Sequence, residues 1–342
     1  MYRRRFTIPI VLIVLALMAC AMGADKPSGT LKVVNKIAVE GAGRWDYLIV
    51  DPQTRHLFMS RATHVSVLDA DSGAVIGDIP DTPGVHGITL APDLGVGFIS
   101  AGGDDKVVVF DLKTLQVVTK IPAGGNPDSM LYDGATKTLF VQDGKGNTTT
   151  VIDAAARKVA ATIPMAGRPE FIVADNKGNA YVNIEDKSSL SVLDIAGKKV
   201  KTTWNLKPSC EEPTGLAIDN ASRTLFSACA NKVLAVINAD SGKILQTLPI
   251  GDDTDAVAYD SATGYVFASS GDGNLFVFKK GAGGKYQQVQ KIDAPPGAKT
   301  MAFDAGKHRI YLPTAKFSGN PTGHPRPAVV AGSISIYVIA SN

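Results

Sequence analysis

Residues Gly124 to Glu170 read GGNPDSMLYDGATKTLFVQDGKGNTTTVIDAAARKVAATIPMAGRPE. The stretch opens on Gly-Asn-Pro-Asp at 125–128 and closes on Gly-Arg-Pro-Glu at 167–170, so it is one full period of a repeat. Inside it, short β-branched and aromatic runs alternate with Gly, Asp, Asn and Lys clusters, the pattern of a hairpin meander. About four strands in roughly 42 residues is the size of a propeller blade.

The same period recurs on both sides. Its first strand is DYLIVDPQTRHLFMS from Asp46, HGITLAPDLGVGFIS from His86, EFIVADNKGNAYVN from Glu170, TGLAIDNASRTLFSA from Thr214, DAVAYDSATGYVFAS from Asp255 and KTMAFDAGKHRIYLP from Lys299. Equivalent positions lie 40, 42, 42, 44, 41 and 44 residues apart, which makes seven repeats. The fold class is therefore all-β: a seven-bladed propeller of four-stranded antiparallel blades, one domain over 31–341. A fourth strand closes most periods on Ile-Pro or Leu-Pro, where the missing N–H ends the ladder. The seventh period stops after its third strand. LKVVNKIAVE at 31–40 has the pattern of the missing strand, so the N-terminal segment is expected to complete the last blade and remove an open edge.

Residues 1–23 carry Arg3, Arg4 and Arg5 followed by an apolar run to Met18, which reads as an export signal and predicts a periplasmic or secreted protein. Leu17-Met18-Ala19-Cys20 resembles a lipoprotein box that would lipidate Cys20 and tether the chain to a membrane; cleavage near Gly23 is the other reading. The chain has 35 Lys+Arg against 32 Asp+Glu, and loss of the three leader arginines leaves 32 against 32. With no excess positive charge, nucleic acid is not an expected partner. Cys210 and Cys229 are the only other cysteines, and in an oxidising compartment they are expected to pair and pin the extended loop from Lys207 to Glu212, against the alternative of two free buried thiols.

The repeat signature, G-x-x-P-x, then strand, turn, V-x-V-I-D and I-P-x-G, resembles the YVTN-type repeat of secreted bacterial YncE-like propellers. IPAGGNPD from Ile121, IPMAGRPE from Ile163 and VINADSGKILQTLPIG from Val236 carry the likeness. The resemblance implies the fold. It does not imply one activity, since this repeat occurs in lactonase-like enzymes, in parts of quinoprotein and haem enzymes and in surface proteins alike. The chain has no CxxCH for covalent haem, no GxSxG and two tryptophans, too few for Trp-docked blades.

In a propeller the first strand of each blade lines the channel, and its leading residue sits at one mouth. Around the ring that residue is Asp46, His86, Asp128, Glu170, Thr214, Asp255 and Lys299, six of which ionise. Two residues further on, the ring converges on apolar types, Leu48, Ile88, Met130, Ile172, Leu216, Val257 and Met301. A leading position that diverges while staying polar is read as the floor of a ligand site, against the alternative of a solvated rim of turn residues. Arg44, Trp45 and Arg168 flank it, and Arg61, Asp104, Asp143, Asn147, Asn231 and Asp272 occupy loops expected on the same face. The arginines would suit an anionic ligand. The long blade-seven loop, TAKFSGNPTGHPRPAVVAG from Thr314, brings Lys316, His324 and Arg326 as a candidate cover. His56 and His308 are expected as solvated residues of the opposite face.

The expected role is binding of a small molecule, peptide or protein partner at this mouth by a monomer, without catalysis and with no required cofactor. The alternative is a lactonase- or lyase-type enzyme using Asp46, His86, Asp128, Glu170 and Asp255 around a divalent cation, calcium or magnesium by oxygen-donor count.

Overall fold

The computed structural model describes residues 29–41, 43–322 and 327–341; the leader, Cys20, His324 and Arg326 lie outside the described residues. The strands form seven four-stranded sheets, each in meander order, six of them built from consecutive strands. Blade one, for example, runs Leu48–Val50, His56–Arg61, His64–Asp69 and Val75–Ile79, called strands a to d from the channel outward. The seventh sheet takes its outer strand from Lys32–Ala38, antiparallel to Ser335–Ala340 with Lys32 opposite Ala340 and Ala38 opposite Ser335. The ring thus closes through the N-terminal segment. Among the described residues no helix is long and apolar enough to cross a membrane.

The core lies in layers between blades, because each sheet is covered on both faces by its neighbours. Middle strands are therefore buried on both faces: every residue of Thr138–Asp143 is buried, whereas the outer strand Lys158–Pro164 is largely exposed. Strand b contributes one aromatic ring per blade, Phe58, Phe98, Phe140, Tyr181, Phe226, Phe267 and Tyr311, all buried. Each such ring stabilises its layer by roughly 1.5–3 kcal/mol. The turns joining strands a and b carry an Asp that accepts backbone N–H groups two to four residues on: Asp51 from Gln53, Asp175 from Lys177 and Asn179, Asp260 from Ala262.

Two arginine networks lock seams between blades. Arg55 of blade one binds Asp304 of blade seven at 2.6 Å, with Asp71 at 3.1 Å. Arg223 of blade five binds Asp175 of blade four at 3.0 Å and its own Asp240 at 2.7 Å. His308, expected in solvent, sits 2.9 Å from Asp260 of blade six, and His56 is half-buried with its ring against Phe58; blade-to-blade packing covers this face more closely than a free loop would. Cys210 and Cys229 are joined in a disulfide, with Cα atoms 5.3 Å apart.

One irregularity positions the site. In blades two to six the register of strands a and b shifts at the top of strand a, between Val85 and Ile88, Pro127 and Met130, Pro169 and Ile172, Pro213 and Leu216, and Thr254 and Ala256. Each shift contains the leading residue of its blade. A bulge breaks the ladder and re-aims the side chain, here into the channel.

Candidate functional site

The seven leading residues come to one end of the channel. Six of them, Asp46, His86, Asp128, Glu170, Asp255 and Lys299, line a cavity of about 440 Å³ with Thr214. Their backbones are held from behind: Ser60 Oγ accepts from Asp46 N at 2.8 Å, Thr300 Oγ1 donates to Asp46 O at 2.8 Å, and Ser129 Oγ donates to Glu170 O. Loops add Arg168, Glu185, Glu212, Asp252 and Asp253. Eight carboxyl groups thus face three basic side chains across one small chamber.

The basic groups are engaged. Lys299 is ion-paired with Asp255, and Arg168 with Glu185. His86 Nδ1 lies 2.7 Å from Asp46 and 4.0 Å from Asp128. Burial pulls the imidazole pKa down, but the bond to Asp46, the charges of Asp128 and Asp46 and a bond to Asn126 outweigh it and push it up to about 9. Asp128 moves the same way for another reason. Burial raises its pKa, Asp46 and Asp255 add to the rise, and His86 and Lys299 only partly offset it, leaving it at about 7. Glu170 is raised well above the ordinary carboxyl range by burial and by the charges of Asp128, Asp255, Glu185 and Asp46. Buried carboxyls with shifted pKa values in a cleft mark functional sites more often than structural ones.

Asp46, His86 and Asp128 also form a cluster of metal-donor type among the described residues: one ligand atom from each lies within 4.8 Å of the others. Asp128 Oδ1 is buried with no hydrogen-bond partner. Asp255, expected as a further oxygen donor, is taken up by Lys299 instead.

Several expected site residues have other work. Arg61 is buried and donates to Glu40 O at 3.0 Å. Asp143 is buried and accepts from Gly124 N, Thr148 and Thr150. Asp104 takes Lys120, Asn231 accepts from Glu211 N, and Asp272 accepts from Asp252 N and Asn274. These loop positions follow the turns of the repeat, so their polar side chains close local backbone. Arg44 donates to Pro327 O at 2.7 Å and lines a side crevice with Trp45 and Phe317, whose rings are 6.0 Å apart. The described legs of the long blade-seven loop pair antiparallel, with Phe317 bridged to Val329. Its Thr322 reaches the cavity wall; Lys316 does not, its backbone being bonded to Ser333 and Val330.

The ring reading passed over Tyr47. One position below the leading residue the seven blades carry Tyr47, Gly87, Ser129, Phe171, Gly215, Ala256 and Thr300, two large rings among five small residues. A Cβ on Gly87 would come within 2.7 Å of Asp128 O, so adjacent strands approach too closely there for a side chain. The freed space is filled by Tyr47 and Phe171, ring centroids 5.5 Å apart and edge to face. That size alternation was the available signal. Glu185 and Glu212 carried none, because they belong to loops of unequal length.

The fold is that of a seven-bladed β-propeller. Within that class the chain is similar to YncE proteins. It is 27% identical over 155 residues to the uncharacterized protein YncE of Escherichia coli (strain K12), 42% of this chain and 43% of that one, and matches YncE of Salmonella typhi to the same extent. The match thus spans less than half the length of these curated relatives. No family profile matches the chain. Among solved structures, Kuenenia stuttgartiensis hydrazine synthase superposes with a TM-score of 0.72 at 15% identity, over 89% of this chain and 98% of that one, a likeness of fold alone.

Proposed function

We propose that the protein is an exported binding propeller without catalysis of its own, whose channel mouth takes a small ligand or peptide end bearing positive charge. The basic and apolar run at 1–23 supports export. The observation that carries the binding reading is the excess of carboxyl over basic groups around the 440 Å³ chamber. An anion, which the flanking arginines suggested, would meet Arg168 already paired with Glu185 and Arg44 turned to Pro327. A cation instead offsets the burial and, after it, the mutual repulsion that raise Asp128 and Glu170.

The test is thermal-shift and calorimetric titration of purified protein with spermidine and with citrate. Spermidine should stabilise the wild type and lose most of its effect in Glu170→Gln; stabilisation by citrate alone would refute the reading.

The Asp46, His86 and Asp128 cluster favours a second reading, a divalent-cation site serving lactone hydrolysis or a lyase-type elimination. Two carboxylates with an imidazole suit a first-row transition metal better than calcium. Those three residues would hold it, and it would supply Lewis acidity. Stoichiometric metal in purified protein, lost in His86→Ala, together with lactone turnover, would favour this reading over simple binding.

A further inference from the structure

The channel contains a second chamber. Beneath the mouth, strands a of blades one to three, with Phe171 and Met301, enclose about 430 Å³ reaching the a-to-b turns of the opposite face. Tyr47 lines both spaces, and with Phe171 it forms the partition between them. Upper and lower chambers are nearly equal in volume and opposite in chemistry.

The lower chamber is walled by Leu48, Ile88, Leu90, Met130, Leu131 and Phe171. Its polar neighbours are spent within the protein. Asp51 accepts from Gln53 N and from Thr54, Thr89 Oγ1 donates to Met130 O, Ser129 Oγ to Glu170 O and Tyr132 to Asp93. Water in such a space finds few of the two to four partners that ordered water needs, and an apolar occupant gains roughly 25 cal/mol per Å² buried. A chamber of 430 Å³ lies within the size range of small-molecule sites, about 300–1,000 Å³. Met130 and Met301 supply unbranched side chains that adapt to irregular or aromatic shapes.

We propose that this lower chamber is a distinct binding site for an uncharged, largely apolar small molecule, separated from the cation-attracting mouth by Tyr47 and Phe171. It stands independently of the mouth's function. Ligand selection there rests on the desolvation cost of any charge facing a wall whose polar side chains are engaged within the protein, apart from Gln53 at its rim and Tyr47 in the partition.

The probe is N-phenyl-1-naphthylamine, neutral and fluorescent when desolvated, titrated into the wild-type protein. The expected result is saturable binding of one probe per chain, displaced by 1-decanol and unaffected by tetramethylammonium. Met130→Glu, which puts a charge in the wall, should weaken binding at least tenfold while the melting transition stays cooperative. Leu90→Glu, from another blade, serves as the second variant should Met130→Glu fail to fold. Absence of saturable binding to the wild type, displacement by tetramethylammonium, or wild-type affinity in a folded wall variant would each overturn the proposal.

Discussion

Replacing Asp128 with asparagine should stabilise the protein at alkaline pH and leave it nearly unchanged in acid. Asp128 is 15% exposed at its side chain, and its Oδ1 has no hydrogen-bond partner. Its pKa rises from 3.8 to about 7 on folding, chiefly through burial. A carboxyl raised in this way binds more protons folded than unfolded, so stability falls as pH climbs through that window. The penalty is absent below 3.8 and complete above about 7. At about 1.36 kcal/mol per pH unit, the interval sets a ceiling of about 4 kcal/mol. That interval is already net of the attraction to His86 and Lys299, and relaxation and water penetration around the charge reduce the cost further. A net gain of about 1–2 kcal/mol at pH 8.5 remains, read as a rise of roughly 2–5 °C in melting temperature. Urea denaturation of both proteins from pH 4 to 9 measures it. The gain should shrink steadily below pH 7. A variant destabilised equally at every pH, or most strongly in alkali, would refute the picture of a carboxylate held at a cost to folding. A stabilised variant that also binds cations less well would show why the charge is kept.

Other outcomes follow from the same geometry. His86, raised from 6.5 to about 9, contributes stability that is whole below 6.5 and lost as pH rises through 9, so His86→Gln should flatten the stability profile across that interval. Cation affinity at the mouth should rise between pH 5.5 and 8, as the proton leaves Asp128, and isothermal calorimetry in matched buffers reads this directly. Arg55→Ala strands Asp304, which is fully buried, and should cost about 3 kcal/mol in urea denaturation; the same change at exposed Lys187 should cost nothing measurable. Cys210→Ser with Cys229→Ser opens a cross-link spanning 19 residues and should lower stability by about 2–4 kcal/mol while the wild type shows the same loss in reducing buffer.

Blade number, strand order and ring closure were all legible in the chain itself. The β-branched and aromatic character of runs such as TLFVQD and KVAATIP is local, turns such as Asp71-Ser72-Gly73 punctuate it, and a blade needs only its two neighbours to bury its faces. The convergence of Asp46, His86, Asp128, Glu170, Asp255 and Lys299 followed from the period by the same logic, since residues forty apart share a height on the axis. The purpose of each polar group was not contained there. Asp143 and Asp128 look alike in the sequence, yet Asp143 is met by Gly124 N, Thr148 and Thr150, while Asp128 has a bare oxygen facing other carboxylates. What a carboxylate does depends on the donors within about 3 Å and the charges across the channel, and both arrive from other blades. For the same reason the division of the channel by Tyr47 and Phe171, two rings 124 residues apart among small neighbours, exists only once the ring has closed.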